Sequence, residues 1–361
     1  MKSWFDSFRQ ELGNRLTLWI LSIAALHILV GAVLARVYGW PLEIHTLMYS
    51  KALHWAVIWF TLGIVSWRSF YIMIALRPKR LTLTILQDLR RICLNPQRLA
   101  RGIPIVLMFS VMFSVFTSYK SLIPEIVPFK YDELFSHIDR TLHFGVDPWR
   151  ILFPVFSVGI MVSVLSFFYK IWFVAKFSVL FWQAFSLKRP RLREQFFLTY
   201  ILVWIINGTI FALLFSSVGP CFYGNVVDGP NPYAELMAFL RETNKTMPVW
   251  DLVAQDYLWY AYESKEILRF SGISAMPSLH VSLAFLFVLV GWGTGRKTGI
   301  LFTVYFLLVM VGSVFLGWHY AIDGYFAIIS TLIIWLSVGQ VLKWVDARAT
   351  ARQLVESPAQ A

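Results

Sequence analysis

The chain has 361 residues, of which 58% are hydrophobic and 14% charged. A water-soluble domain carries about 25% charged residues, so the composition excludes a soluble globular surface. It points to one that faces mostly lipid, in keeping with 16 Trp and 15 Tyr, whose amphipathic rings favour the headgroup level.

In chain order, the first apolar stretch lies at 16–36. It is longer than the core of a signal peptide and no clear small-residue cleavage site follows, so it reads as an uncleaved anchor. A second stretch, 52–76, leads into Arg77–Arg101, where Leu81, Ile85, Leu89 and Ile92 recur at helical spacing among Arg90, Arg91 and Arg98. That pattern suits a basic amphipathic helix on the inner leaflet. A third stretch at 103–123 is followed by an outward loop, 124–156, in which Pro148 and Pro154 suggest a short interfacial helix. The fourth and fifth lie at 157–185 and 194–216. The loop 217–275 is the longest; its Gly219–Pro220, Gly229–Pro230 and Asn231–Pro232 pairs mark turns, and 235–244 and 250–269 read as surface helices. Stretches at 276–294, 299–318 and 320–342 complete the set. The expected fold class is all-α, a polytopic transmembrane helical bundle of about eight spans. Residues 1–100 form a two-span region with the amphipathic connector, 101–345 a catalytic bundle, and 346–361 a cytoplasmic tail.

The net charge of +12 has two readings, contact with nucleic-acid phosphate or the positive-inside bias of a membrane protein. Eight spans put both termini on one side. Most of the 32 Lys and Arg fall on that side in short loops, and the others are spread through longer loops opposite or sit within spans. Both termini are therefore expected in the cytoplasm. Topology accounts for the charge, and no nucleic-acid partner is expected. Cys93 and Cys221 fall on opposite sides and should not pair.

Two segments carry chemistry. Ser274–His280 opens the sixth span, with Pro277 placed as an N1 proline. Backbone N–H groups of Ser278, Leu279 and His280 would then be free at a helix start, an anion site to which the Ser278 hydroxyl adds a donor. Gly317–Gly324 lies at the last turn between spans. If the helix starts there, His319 and Asp323 are i and i+4 on one face, and the carboxylate can hold one imidazole nitrogen while leaving the other as a nucleophile. The sixth span runs inward and the seventh returns, so His280 and His319 arrive on the same outer side. The kit suits phosphoryl transfer, with His319 attacking phosphorus, Asp323 orienting it and protonated His280 serving the leaving oxygen. No metal or cofactor is expected, and no zinc-ligand spacing occurs.

The segments SAMPSLH and GWHYAID resemble the second and third signature motifs of the type 2 phosphatidic acid phosphatase superfamily. Leu279 stands where glycine is commoner, a variant similar to the branch that holds inositol phosphorylceramide synthases. Asp139–Trp149 and Gly219–Tyr223 also look like that branch, and the resemblance covers residues 117–335. It implies two histidines and an aspartate acting on phosphate esters. The usual first motif, a lysine seven residues before Arg-Pro, is missing, since Trp182 precedes Arg189–Pro190; Ser313 replaces the usual arginine before the third-motif histidine. The cationic phosphate contacts must come from elsewhere, with Lys120, Arg140 and Arg150 the outer-side candidates and Lys170 deeper.

His27 and His54 read as packing residues, Lys176 as the mark of a polar cavity or a snorkelling lysine, and Tyr223 and Tyr320 as interfacial aromatics. The expected partner is a lipid substrate within membrane lipids, and the expected place a bacterial inner membrane with the site facing the periplasm or exterior. The acceptor stays open between water, which makes a phosphatase, and an alcohol, which makes a headgroup transferase of the inositol phosphorylceramide synthase type. A transporter would place ionisable groups at mid-membrane depth in several spans, and a catalytically silent lipid-binding relative would keep the motifs without turnover.

Overall fold

The computed structural model describes residues 4–39, 47–266, 268 and 271–356, and among these every regular element is helical. The expected outer loop 37–51, the surface helix to 269 and the tail 346–361 lie in part outside the described residues. In chain order the helices are α1 Trp4–Leu12, α2 Arg15–Tyr38, α3 Ser50–Tyr71 with a π-helical turn Ile72–Leu76, α4 Leu81–Cys93 and α5 Pro96–Ile126. Then come α6 Asp132–Leu142, α7 Pro148–Phe156, α8 Gly159–Lys170, α9 Trp172–Ala184, and α10 Pro190–Ile205, which continues through a π-helical turn Ile206–Phe211 into α11 Ala212–Leu214. The last six are α12 Tyr223–Val226, α13 Ala234–Thr243, α14 Trp250–Glu263, α15 Leu279–Thr294, α16 Arg296–Phe315 and α17 Ala321–Glu356.

Seven stretches are long and apolar enough to cross a membrane: Arg15–Tyr38, Ser50–Leu76, Pro96–Ile126, Gly159–Ala184, Pro190–Leu214, Arg296–Phe315 and Ala321–Ala351. In hydrocarbon each backbone N–H and C=O needs a partner within its own segment, which is why these apolar runs are helical. The eighth expected span, 276–294, is a shorter apolar helix, α15, of 16 residues. At 1.5 Å per residue it is about 24 Å long, less than the ~30 Å of hydrocarbon. It starts late because Ser278 caps it and Pro277 precedes the cap, so Pro277 is not at N1 as its position suggested. The fourth span is two helices that meet at Ile171. The interfacial helix at Pro148 and the connector helix after Arg77 both form, the latter tied to α3 by a two-pronged Arg68–Asp88 pair at 2.8 Å.

The chain forms two compact units. The first holds Met1–Ile126, Lys170–Pro190 and Tyr257–Ile273. Its centre is α5, whose Ile105, Phe109, Met112, Phe113 and Val115 are buried. Gly31 on α2 leaves room for the Tyr119 ring, and the Tyr119 hydroxyl donates to the carbonyl of His27 at 3.0 Å. The second unit holds Val127–Tyr169, Arg191–Asp256 and Ser274–Ala361. Here α15 and α16 form a tight antiparallel hairpin. Gly291 and Gly299 lie where a Cβ would meet Phe302 and Trp292, so their lack of a side chain sets the close approach. That hairpin returns the chain from the start of α15 to the end of α16, and a turn at Gly317, with φ 78°, sends it into α17.

Candidate active site

The site lies within the second unit, where the start of α15 meets the turn between α16 and α17. Ser278 is the N-cap of α15; its Oγ accepts from the Val281 N–H at 3.4 Å and the residue is fully buried. Its own N–H donates to the Asp323 carbonyl at 3.3 Å. The expectation of a free Ser278 N–H is therefore corrected, and that bond instead ties the two motifs together.

The second motif is held at both ends. The Gly317 turn is fixed by the His319 N–H donating to the Ser313 carbonyl at 2.9 Å, so the position where an arginine was expected serves the turn through its backbone. His319 lies two residues before α17 begins, so it is not part of that helix as its spacing suggested. Its side chain still meets Asp323, Nδ1 to Oδ2 at 3.3 Å, and the same oxygen accepts from the Tyr320 N–H at 3.1 Å. The distance is at the long edge for a hydrogen bond. With Nδ1 turned to the carboxylate, Nε2 lies on the far side of the ring from Asp323. Asp323 is fully buried and His319 is 7% exposed. Asp323 Oδ1 is buried without a hydrogen-bond partner, an unsatisfied acceptor of the kind found at functional sites. The His280 and His319 ring centroids are 6.4 Å apart.

Residues not foreseen from the sequence hold this arrangement. On α6, Asp132 and Asp139 are two helical turns apart and both buried. Asp139 accepts from the N–H groups of Ala321 at 2.6 Å and Ile322 at 2.8 Å, and so caps α17 from another helix. Asp132 accepts from the N–H groups of Val218 and Gly219 and from the Tyr320 hydroxyl at 2.9 Å. Burial pushes the Asp139 carboxyl up to about 7, against the pull of the two N–H groups, and the nearby Asp323 charge pushes the same way as burial. Burial also raises Asp132, opposed by its backbone donors and Tyr320. Tyr320 and Tyr223 are 1% and 5% exposed, so they are not interfacial aromatics. From α14, Asp251 accepts the Trp318 indole N–H at 2.7 Å and the Ser166 hydroxyl at 2.6 Å, and Gln255 donates to the Leu316 carbonyl at 2.9 Å.

Of the cationic candidates, Arg140 and Arg150 are engaged in ion pairs within the second unit. The Arg140 guanidinium is engaged with Asp147, at 2.9 and 3.0 Å from its two oxygens. Arg150 also pairs with Asp147 and reaches Glu235 at 2.7 Å. Lys120 belongs to the first unit, on α5, where its backbone and Cγ lie against Gly272.

An all-α bundle with membrane-length helices, and a cluster at its helix ends of buried His319 and Asp323 with half-buried His280, defines a class of polytopic membrane protein. The family model for the PAP2 superfamily matches residues 133–337, more than half of the chain, and the chain belongs to that superfamily of phosphatase-type phosphoesterases. The match takes in both motifs and Asp139. No curated protein and no solved structure matches the chain.

Proposed function

We propose that the chain is an integral-membrane phosphatase or phosphotransferase that acts on a lipid phosphate ester through a phosphohistidine on His319. The observation that carries this reading is the single cluster in which His319 Nδ1 meets Asp323 at 3.3 Å while the His280 ring stands 6.4 Å away. Nε2 of His319 attacks phosphorus; the P–N bond forms, the P–O bond to the leaving group breaks, and protonated His280 gives its proton to the leaving oxygen. Neutral His280 then takes a proton from the acceptor, whose oxygen attacks phosphorus as the P–N bond breaks. Asp323 holds the tautomer and stabilises the cationic imidazole. The start of α15 at Ser278 receives the phosphate, where the helix dipole favours an anion.

The charge distribution supports a site on the outer side, with both termini in the cytoplasm; in a bacterial inner membrane that side is periplasmic. A second reading, transfer to a lipid or inositol hydroxyl, is supported by the burial of His319, Asp323 and Ser278, with His280 half-buried beside them. The test is a panel of phosphatidic acid, polyprenyl phosphate and an inositol phospholipid with an alcohol acceptor, measuring free phosphate and new lipid together. Wild-type protein is expected to turn over one of these, and His319→Ala to lose at least about 1,000-fold at unchanged expression. Turnover retained by His319→Ala overturns the nucleophile assignment, and new lipid without free phosphate selects the transferase.

A further inference from the structure

The His280 ring has a neighbour that the reaction as written does not use. Tyr169, near the end of α8, stacks on it with centroids 4.8 Å apart and planes 13° from parallel. Trp318 lies nearly parallel to the same Tyr169 ring, at 6.4 Å and 15°. The tyrosine is 3% exposed, and its hydroxyl is buried without a hydrogen-bond partner. An orphaned phenol adds nothing to holding the ring in place, so what Tyr169 offers the site is its face.

That face is held from several directions. Gly312 on α16 lies where a Cβ would come within 3.0 Å of Tyr169 Cδ2, so the glycine seats the ring edge. Ser166, one turn earlier on α8, donates to Asp251, which also receives the Trp318 indole N–H. Ser166, Asp251, Trp318 and Tyr169 thus close a circuit around the ring that faces His280. We infer that Tyr169 is the positioning residue for His280, fixing the plane of the imidazole so that its proton is presented between the two histidines. The role rests on the reading of His280 as the acid and base. The face of an aromatic ring also favours a cationic partner, which suits a histidine that must carry its proton when the leaving group departs. Other titratable groups about the pair are Asp323 beside His319, and Asp251, Tyr305 and Cys221 about Tyr169.

Two variants separate the ring face from the hydroxyl. Tyr169→Phe keeps the face and removes only the unpartnered hydroxyl, and is expected to keep kcat within about twofold. Tyr169→Met keeps most of the volume without a ring face, and is expected to lower kcat at least about tenfold with KM within about twofold, since only transition-state geometry is lost. Thermal midpoints of both variants in nanodiscs identify any failure to fold, and Tyr169→Leu serves if the methionine variant does not fold. Stacking also leaves a spectroscopic mark independent of turnover: the carbon-bound protons of the His280 imidazole are shifted upfield by the ring current. In histidine-labelled protein, with His280→Gln to assign the signal, that shift is expected in wild type and Tyr169→Phe and lost in Tyr169→Met. A folded Tyr169→Met protein with wild-type kcat overturns the role, as does Tyr169→Phe falling as far as Tyr169→Met. If wild type turns over no phosphate ester while the ring-current difference stands, the proposed reaction has failed and the stack has not.

Discussion

Asp139 shows what one buried side chain does to this site. It caps α17 through two N–H groups, and burial lifts its carboxyl to about 7. A raised value means that the folded chain holds the proton more tightly than the unfolded chain does. Stability from this group is therefore full below about pH 4 and is lost as pH rises through about 7. Asp139→Asn cannot ionise. The thermal midpoint of wild type in nanodiscs is expected to fall by a few degrees more than that of Asp139→Asn between about pH 4.5 and 7.5; parallel curves would show that Asp139 does not titrate in that window. The histidines and Asp323 could be read from the sequence because their residue types and topology place them together. Asp132 and Asp139 could not, although two acids two turns apart in a hydrophobic chain are a signal. Their partners are backbone N–H groups 86 and 182 residues away, and backbone groups leave no mark in a sequence.

Helix ends, more than helix bodies, decide the geometry of the motifs. The apolar runs fall on all seven membrane-length helices, because hydrocarbon imposes the helix, although Pro96–Ile126 and Ala321–Ala351 extend well beyond the runs 103–123 and 320–342. The starts of α15 and α17 were misplaced, because the caps are set by Ser278 locally and by Asp139 from α6. The π-helical turn Ile206–Phe211 was also not legible. It carries the buried Asn207, whose Nδ2 donates to Ser282 Oγ at 2.9 Å, one helix turn past the α15 cap, and such turns recur near functional sites. Of the connecting helices, α14 bears most directly on the catalytic turn, through Asp251. Asp251→Asn can still accept from Trp318 and donate to Ser166, and is expected to cost less than about 1 kcal/mol. Asp251→Leu leaves the Trp318 and Ser166 donors buried and unpaired at about 1–3 kcal/mol each, which unfolding in mixed micelles will measure. Equal stability of the two variants would show that Asp251 does not hold the turn.

For the whole molecule, the proposed side of the membrane rests on charge alone and can be tested apart from the chemistry. The α4 connector and the basic residues just before it, Arg77, Lys79 and Arg80, belong to the side that the positive-inside rule assigns to the cytoplasm. The helix α13, with exposed Glu242 near its end, belongs to the long loop that the same rule assigns to the other side. With Cys93 and Cys221, both free, replaced by serine, a single cysteine at Lys79 or Glu242 reports each face. A membrane-impermeant thiol reagent on intact cells is expected to label Glu242→Cys and to reach Lys79→Cys only after permeabilisation. The reverse pattern would put His280 and His319 in the cytoplasm, where the phosphate esters offered to them are those of the inner leaflet, while leaving the geometry of the cluster as it stands. Accessibility therefore fixes which leaflet supplies the substrate, and the substrate panel fixes which headgroup, so neither result can stand in for the other.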